Sequence, residues 1–261
     1  MNPALWIAKT GLDAQQTRMG VISNNLANVN TMGYKRGRAA FSDLIYQNLK
    51  QVGAQSSQNT QLPSGLAMGT GVQATATQKI FTQGNIAQTG NTFDLAINGR
   101  GFFQILRPDG TQAYTRDGGF QVSREGRVVT STGYDLQPAI VVPPDAQTIT
   151  VGVDGIVSAQ LPGQADPATI GAIQLADFIN PAGLEPIGDN QFRESGASGA
   201  PQIGTPALTG LGSLVQGALE TSNVNTVEEM VNMIETQRAY EMNSKAISSA
   251  DQMLQTLNQR L

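Results

Sequence analysis

The apolar positions follow two periods along the chain. Near the N-terminus they fall at Leu5, Ala8, Leu12, Gln15, Met19, Ile22, Leu26 and Val29, with spacings of three and four, and only Gln15 is polar. Asn2-Pro3 is a suitable helix start, and Gly33 a suitable stop. Gly11 and Gly20 each cost about 1 kcal/mol relative to Ala inside a helix, so this helix needs a partner. Near the C-terminus every seventh residue is apolar: Met233, Tyr240, Ile247, Leu254 and Leu261. A second apolar set lies beside it at Val227, Met230, Val231, Ile234, Ala246, Ala250, Met253 and Leu257. Asn225 stands three residues before Glu228, a capping-box start with Asn as the cap. A helix from about Thr226 to Leu261 would be roughly 54 Å long at ~1.5 Å per residue. A small domain of the same chain does not cover that length. The expectation is that the two ends pack on each other as an antiparallel or tilted pair, and that part of the seam meets another molecule.

Between the helices the period changes to two. Val72, Ala74 and Ala76 alternate with polar residues, and Phe93, Leu95 and Ile97 share one face. Phe102–Leu106, the turn Pro108-Asp109-Gly110 and Gln112–Thr115 predict a hairpin. Segments 120–123 and 127–130 around Glu125-Gly126 predict a second, and segments 148–153 and 156–159 around Asp154-Gly155 a third. Residues 168–178 add a strand. The Gly-, Pro- and Ser-rich stretch 181–206 reads as loop, and 212–220 as a strand or extended segment leading back to the last helix. Residues 41–49 predict a short helix or an extended arm. Residues 51–71, rich in Gln, Ser, Thr and Gly, read as a linker on composition. The fold class is therefore α+β, with long terminal helices pairing in a coiled-coil-like core around a β-rich middle built of hairpins. The domain division is 1–33 with 221–261 as helical core, 34–71 as connecting arm, 72–205 as β domain and 206–220 as return segment.

Composition narrows the chemistry. Net charge is −4, charged residues make up 14%, and the five lysines are scattered, so no basic patch suits nucleic acid. Cys and His are both absent, which removes thiol nucleophiles, His-based triads, soft metal sites and disulfides. No run of eighteen apolar residues spans a membrane. The N-terminus lacks the basic and apolar regions of a secretory signal. Asp109, Asp117, Glu125, Asp135 and Asp154 are the carboxylates that a hydrolase could use, but most adjoin Gly, where they serve turns. Gly99-Arg100-Gly101 precedes a strand and does not have phosphate-loop spacing. No catalytic residue, cofactor or metal is expected.

Two stretches carry a family resemblance. Residues 24–36, with Asn24, Asn25, Leu26, Ala27, Asn28, Gly33 and Tyr34, resemble the N-terminal signature of the bacterial flagellar rod and hook axial proteins. Residues 219–259, with Gln237, Arg238, Ala239, Tyr240, Asn243 and Lys245, resemble that family's C-terminal signature. Residues 94–105 and 113–122 resemble its β-domain motifs. Residues 46–72 resemble a stretch that marks the distal-rod branch and that the hook branch lacks. There it lies against neighbouring subunits and stiffens the rod. The resemblance implies a structural subunit that polymerises with itself into a rigid hollow tube carrying torque. It places the β domain outside and a helical seam of Leu5, Ala8, Leu12, Met19, Ile22, Leu26, Val29, Met233, Tyr240, Ile247, Leu254, Leu257 and Leu261 inside. Arg238, Glu241, Asn243 and Lys245 then become candidates for setting subunit register. It further implies proximal rod proteins below, hook protein above, P- and L-ring proteins around, and export by the flagellar type III apparatus without a cleaved signal. The implied location is the basal-body rod, crossing the periplasm. The alternatives are a proximal rod or hook protein and, from another class, an exported β-rich binding module.

Overall fold

In a computed structural model the chain forms an α+β fold. The structure describes residues 3–260 except 52–54, 58–59, 62–63, 164–165 and 209, with the backbone alone at 55–57, 60–61 and 257–260. The proposed cap Asn2, the seam residue Leu261 and the Leu257 side chain lie outside the described residues. Contacts divide the chain into two compact units: residues 1–27, 37–78 and 225–261, and residues 28–36 and 79–224.

The first unit holds the helices α1 (Pro3–Ala27) and α2 (Thr226–Arg260). Asn225 Oδ1 accepts hydrogen bonds from the Val227 and Glu228 amides at 3.1 and 3.4 Å, the N-cap expected from sequence. The helices pack on each other and run antiparallel, since Arg18 reaches Asn232 while Gly11 lies against Asn243. A Cβ on Gly11 would stand 3.0 Å from Asn243 Nδ2, so the glycine permits close approach of the helices. α1 ends at Ala27, before Val29 and Gly33. The Asn-rich turn that follows is closed by the Thr31 amide bonding the Asn28 carbonyl at 3.2 Å.

The arm is extended, one of the two expectations for 41–49, and its described residues pair as strands. Strand Gly37–Asp43 pairs with Val72–Lys79, Gln47–Lys50 with Leu66–Met68, and Gln55–Ser57 with Thr60–Gln61. The chain runs out and back as a two-stranded ribbon. Such a ribbon is marginal alone, and this one leaves Ile45, Tyr46, Leu49, Leu66 and Met68 exposed.

The second unit centres on a nine-stranded sheet. The three predicted hairpins are present, the first two in this sheet and the third in a separate three-stranded sheet with Ala168–Ala172. Strand Phe102–Leu106 explains why its sequence is almost uniformly apolar: both its faces are covered. Phe103 and Ile105 are fully buried on one side, where Phe103 joins Leu95, Ile97, Phe120, Leu136 and Leu175. Phe102 joins Tyr114, Phe178, Leu184 and Phe192 on the other. Edge-to-face rings at 4.8 Å (Tyr114–Phe178) and 5.9 Å (Phe102–Phe178) fix that second cluster.

The loop expected at 181–206 is instead a 3-10 turn (Pro181–Gly183) and three short strands: Glu185–Gly188, Gln191–Arg193 and Gln202–Gly204. Their pairing partners hold them in place: Tyr114 opposite Phe192, and Ala176 opposite Ile203. The single strand expected at 168–178 is two, broken between Ala172 and Leu175. The return segment is also strand. Ser213–Gln216 pairs with Leu95–Asn98, and Ala218–Glu220 with Ile86–Gln88.

Candidate assembly surface

The helix pair buries only part of its apolar surface. Ala14, Ile22 and Ala250 are buried. Leu5, Ala8, Leu12, Met19, Leu26, Met233 and Ile247 are half-buried, as is Val29 in the turn beyond α1. Tyr240 and Leu254 stay exposed at 41% and 36%. Val227, Met230, Val231 and Ile234 are 49–69% exposed. Their i, i+3, i+4, i+7 spacing puts them on one face of α2. Full burial of such a side chain is worth about 1.5–3 kcal/mol, so covering four half-exposed ones yields roughly 4 kcal/mol. Association itself costs at least about as much, so alone this face holds a neighbour no tighter than about 1 mM. A second apolar surface lies at the base of the ribbon. There a cleft of about 390 Å³ is lined by Pro3, Trp6, Ile7, Gln47, Met68, Gly69 and Thr70.

The signature residues fall into three groups. Asn25 is buried and ties α1 to the strand after it: its amide nitrogen bonds the Gly37 carbonyl at 2.9 Å and its oxygen accepts from the Gly37 amide at 2.8 Å. Gly33 and Tyr34 are buried in the β unit, with φ of +68° at Gly33 and the Lys79 ammonium 4.2 Å over the Tyr34 ring. Asn24, Ala27, Gln237, Arg238, Glu241 and Lys245 are exposed, and Ala239 and Asn243 are half-buried. Asn243 shares a groove with Ala8 and Gly11.

Sequence reasoning missed the charged centre of the β unit. Glu220 is fully buried; its carboxylate accepts from Lys35 Nζ at 2.5 Å, the Gly84 amide at 2.8 Å and Arg116 Nη1 at 3.1 Å. Lys35 also donates to the Thr82 carbonyl at 2.9 Å, and Arg116 Nη2 to the Gly99 carbonyl at 2.7 Å. Burial pulls the Lys35 ammonium and the Arg116 guanidinium below their ordinary pKa ranges, opposed by the charge of Glu220. The backbone joins the same point, the Gly33 amide donating to the Glu220 carbonyl at 2.8 Å. Next to it, Asn223 Oδ1 accepts from the Arg36 amide at 2.7 Å, and its Nδ2 donates to the Ile80 and Thr82 carbonyls at 2.8 and 3.1 Å. The segments by which the chain enters and leaves the β unit are therefore clamped to each other. The sequence signal was only that Lys35 and Arg36 end the N-terminal signature, Arg116 lies in a β-domain motif and Glu220 stands near the start of the C-terminal signature, with nothing to join the three.

The carboxylates considered for hydrolysis serve turns and surface pairs. Asp109, Asp117 and Asp154 each accept a hydrogen bond from the backbone amide two residues on. Glu125 accepts from the Ser123 hydroxyl, and Asp135 pairs with Arg127 at 2.8 Å. Arg100, in the Gly99-Arg100-Gly101 stretch, pairs with Asp177 at 3.0 Å. Among the described residues no helix is long and apolar enough to cross a membrane.

Three family models match the chain. The flagella basal body rod protein model covers residues 5–35, the flagellar hook protein FlgE/F/G D1 domain 96–159, and the flagellar basal body rod FlgEFG protein C-terminal 215–260. The flagellar basal-body rod protein FlgG of Buchnera aphidicola subsp. Schizaphis graminum is 56% identical over 99% of this chain and 100% of its own. That of Caulobacter vibrioides is 49% identical over 98% of each. The chain belongs to the flagellar rod and hook family. FlgF of Caulobacter vibrioides, another basal-body rod protein, is 35% identical over 100% of this chain and 98% of its own. The three clamp residues fall one in each matched rod-family segment: Lys35 in the first, Arg116 in the second and Glu220 in the third. The exposed stripe Val227–Ile234 lies in the third.

Proposed function

We propose that the chain is a structural subunit of the flagellar distal rod, polymerising with itself into a straight hollow tube that carries motor torque to the hook. The observation that supports this reading is the bare apolar face of α2, on a chain 47–56% identical over nearly full length to several rod proteins named FlgG. One such stripe holds a neighbour no tighter than about the millimolar level, so stable association needs each subunit to touch several others at once. Contacts repeating without closure give a helical filament. The exposed apolar side chains of the ribbon fit the same reading. In this role residues 46–72 brace adjacent subunits, although 52–54, 58–59 and 62–63 lie outside the described residues. The partners are then proximal rod and hook proteins at the two ends and the ring proteins around it, with delivery through the flagellar export apparatus and a position across the periplasm.

The test uses cells lacking their own distal rod gene, complemented with this chain. Electron microscopy of isolated basal bodies should show straight distal rods with the wild-type chain and rods ending at the proximal segment with Ile234→Asp. Full-length rods with Ile234→Asp would overturn the role of this face. Deleting residues 51–64 should give a curved polymer; straight rods from that deletion would remove the stiffening role.

A further inference from the structure

A polar cleft of about 180 Å³ opens on the β unit between the turns at 130–132 and 189–190. Two carboxylates, Asp117 and Asp189, line it with the hydroxyls of Thr130, Ser131 and Thr132 and the carboxamide of Gln191. Among the described residues no lysine or arginine lines it. The neighbouring cation Arg116 is turned to Glu220 and the Gly99 carbonyl. Gln191 is only 4% exposed, yet its carboxamide makes no hydrogen bond among the described residues. The residue lines the cleft, where its carboxamide can accept from a donor that enters. Asp117 uses Oδ1 to accept from the Gly119 amide at 3.0 Å, which leaves Oδ2 for another donor. Burial pushes its carboxyl above the ordinary range, and the charge of Asp94 pushes it the same way, against the Gly119 amide. Asp94 is occupied by Thr89 and Asn91. The cleft thus has a surplus of acceptors and negative charge, and room for one small head group.

We propose that this cleft binds a compact cationic donor, the alkylammonium or guanidinium head group that a lysine or arginine side chain or a free amine presents. Such a group brings three to five N–H donors and no acceptor, matching the carboxylates and the Gln191 oxygen together. A sugar of similar size would bring hydroxyls but no charge, and leave both carboxylates uncompensated.

The test is a titration of the ¹⁵N-labelled full-length chain, kept dilute, with n-butylammonium chloride or methylguanidinium chloride against sodium chloride at equal ionic strength. The Gly119 amide and the Gln191 side-chain amide signals should shift saturably with the organic cations and not with sodium. Asp117→Asn keeps the acceptor for Gly119 and should weaken binding about tenfold, as should Asp189→Asn, which tolerates the left-handed backbone at that turn. Gln191→Met, of similar length, is the check should either Asp variant disturb the spectrum elsewhere; it should also weaken binding. A Gly-Lys-Gly peptide binding more tightly than n-butylammonium would point to a polypeptide source, and equal affinity to a free amine. No saturable shift, affinity unchanged in all three variants, or a response to N-acetylglucosamine alone would overturn the assignment.

Discussion

Replacing Glu220 by Gln removes one charge and almost no volume from the centre of the β unit. The Gly84 amide keeps an acceptor, but Lys35 and Arg116 lose their counter-ion while buried. Breaking a buried pair by removing one partner costs about 3–5 kcal/mol. An independent bound comes from the lysine. If the protein escapes by releasing the Lys35 proton at pH 7, lowering its pKa from the ordinary 10.5 costs at most about 5 kcal/mol at ~1.36 kcal/mol per unit. Both routes give a loss comparable to the whole stability of many domains, about 5–15 kcal/mol. The assay is urea unfolding of the full chain, with near-ultraviolet circular dichroism following the aromatic clusters of the β unit and far-ultraviolet signal following the helices. The β transition of Glu220→Gln should move to lower urea by an amount equivalent to about 3–5 kcal/mol. The triple variant Lys35→Met, Arg116→Met, Glu220→Leu removes every charge and should recover most of that loss. A Glu220→Gln chain within 1 kcal/mol of wild type, or a triple variant as unstable as the single one, would refute the reasoning.

Other outcomes follow from single features. Ile234→Asp on the exposed face should leave monomer stability within about 0.5 kcal/mol, measured by the same unfolding curves, while abolishing rods. Ile247→Asp and Leu254→Asp should also block rods with the β unit still folded, and Ile247→Asp should loosen the helix pair as well, read as lost far-ultraviolet signal on mild heating. Gly33→Ala would place a Cβ 2.6 Å from the Asp117 nitrogen in a left-handed backbone, and should cost about 2 kcal/mol or more in the β transition. Burial raises the Tyr114 hydroxyl to about 12. Its contribution is then complete below the unfolded value of 10 and is lost as pH rises from there towards 12, by up to about 2.7 kcal/mol. Tyr114→Phe should flatten that part of the stability–pH curve.

What could be read from the sequence depended on how many residues repeat one pattern. α2 repeats an apolar seventh position for 35 residues, and α1 a three-four spacing for 25, so both helices are visible without neighbours. The hairpins at 102–115 and 120–130 carry their own turn chemistry in Asp109-Gly110 and Glu125-Gly126. The strands within 181–206 are three or four residues long, interrupted by Pro186 and flanked by Gly, and gain their structure from partners far away in sequence. The arm misled through composition: Gln, Ser and Thr read as linker, yet a ribbon needs only backbone pairing. The clamp was least legible of all. Lys35 and Glu220 are 185 positions apart, and no local period connects them. The seam showed that apolar positions exist on the terminal helices, but not that Tyr240 and Leu254 would remain open while Ile22 closes.

The clamp also sets the route by which a pull travels. Tension drawn along the segments at Tyr34–Arg36 and at Glu220–Asn223 meets itself across the Lys35–Glu220 contact, the Gly33–Glu220 backbone bond and the Asn223 carboxamide. Apart from Arg116 and the Gly99 carbonyl it holds, the residues between 86 and 217 form a closed loop beyond that contact and carry little of the strain. A sheet relieved in this way is free to lengthen, shrink or exchange its outer hairpins without altering how the chain bears force.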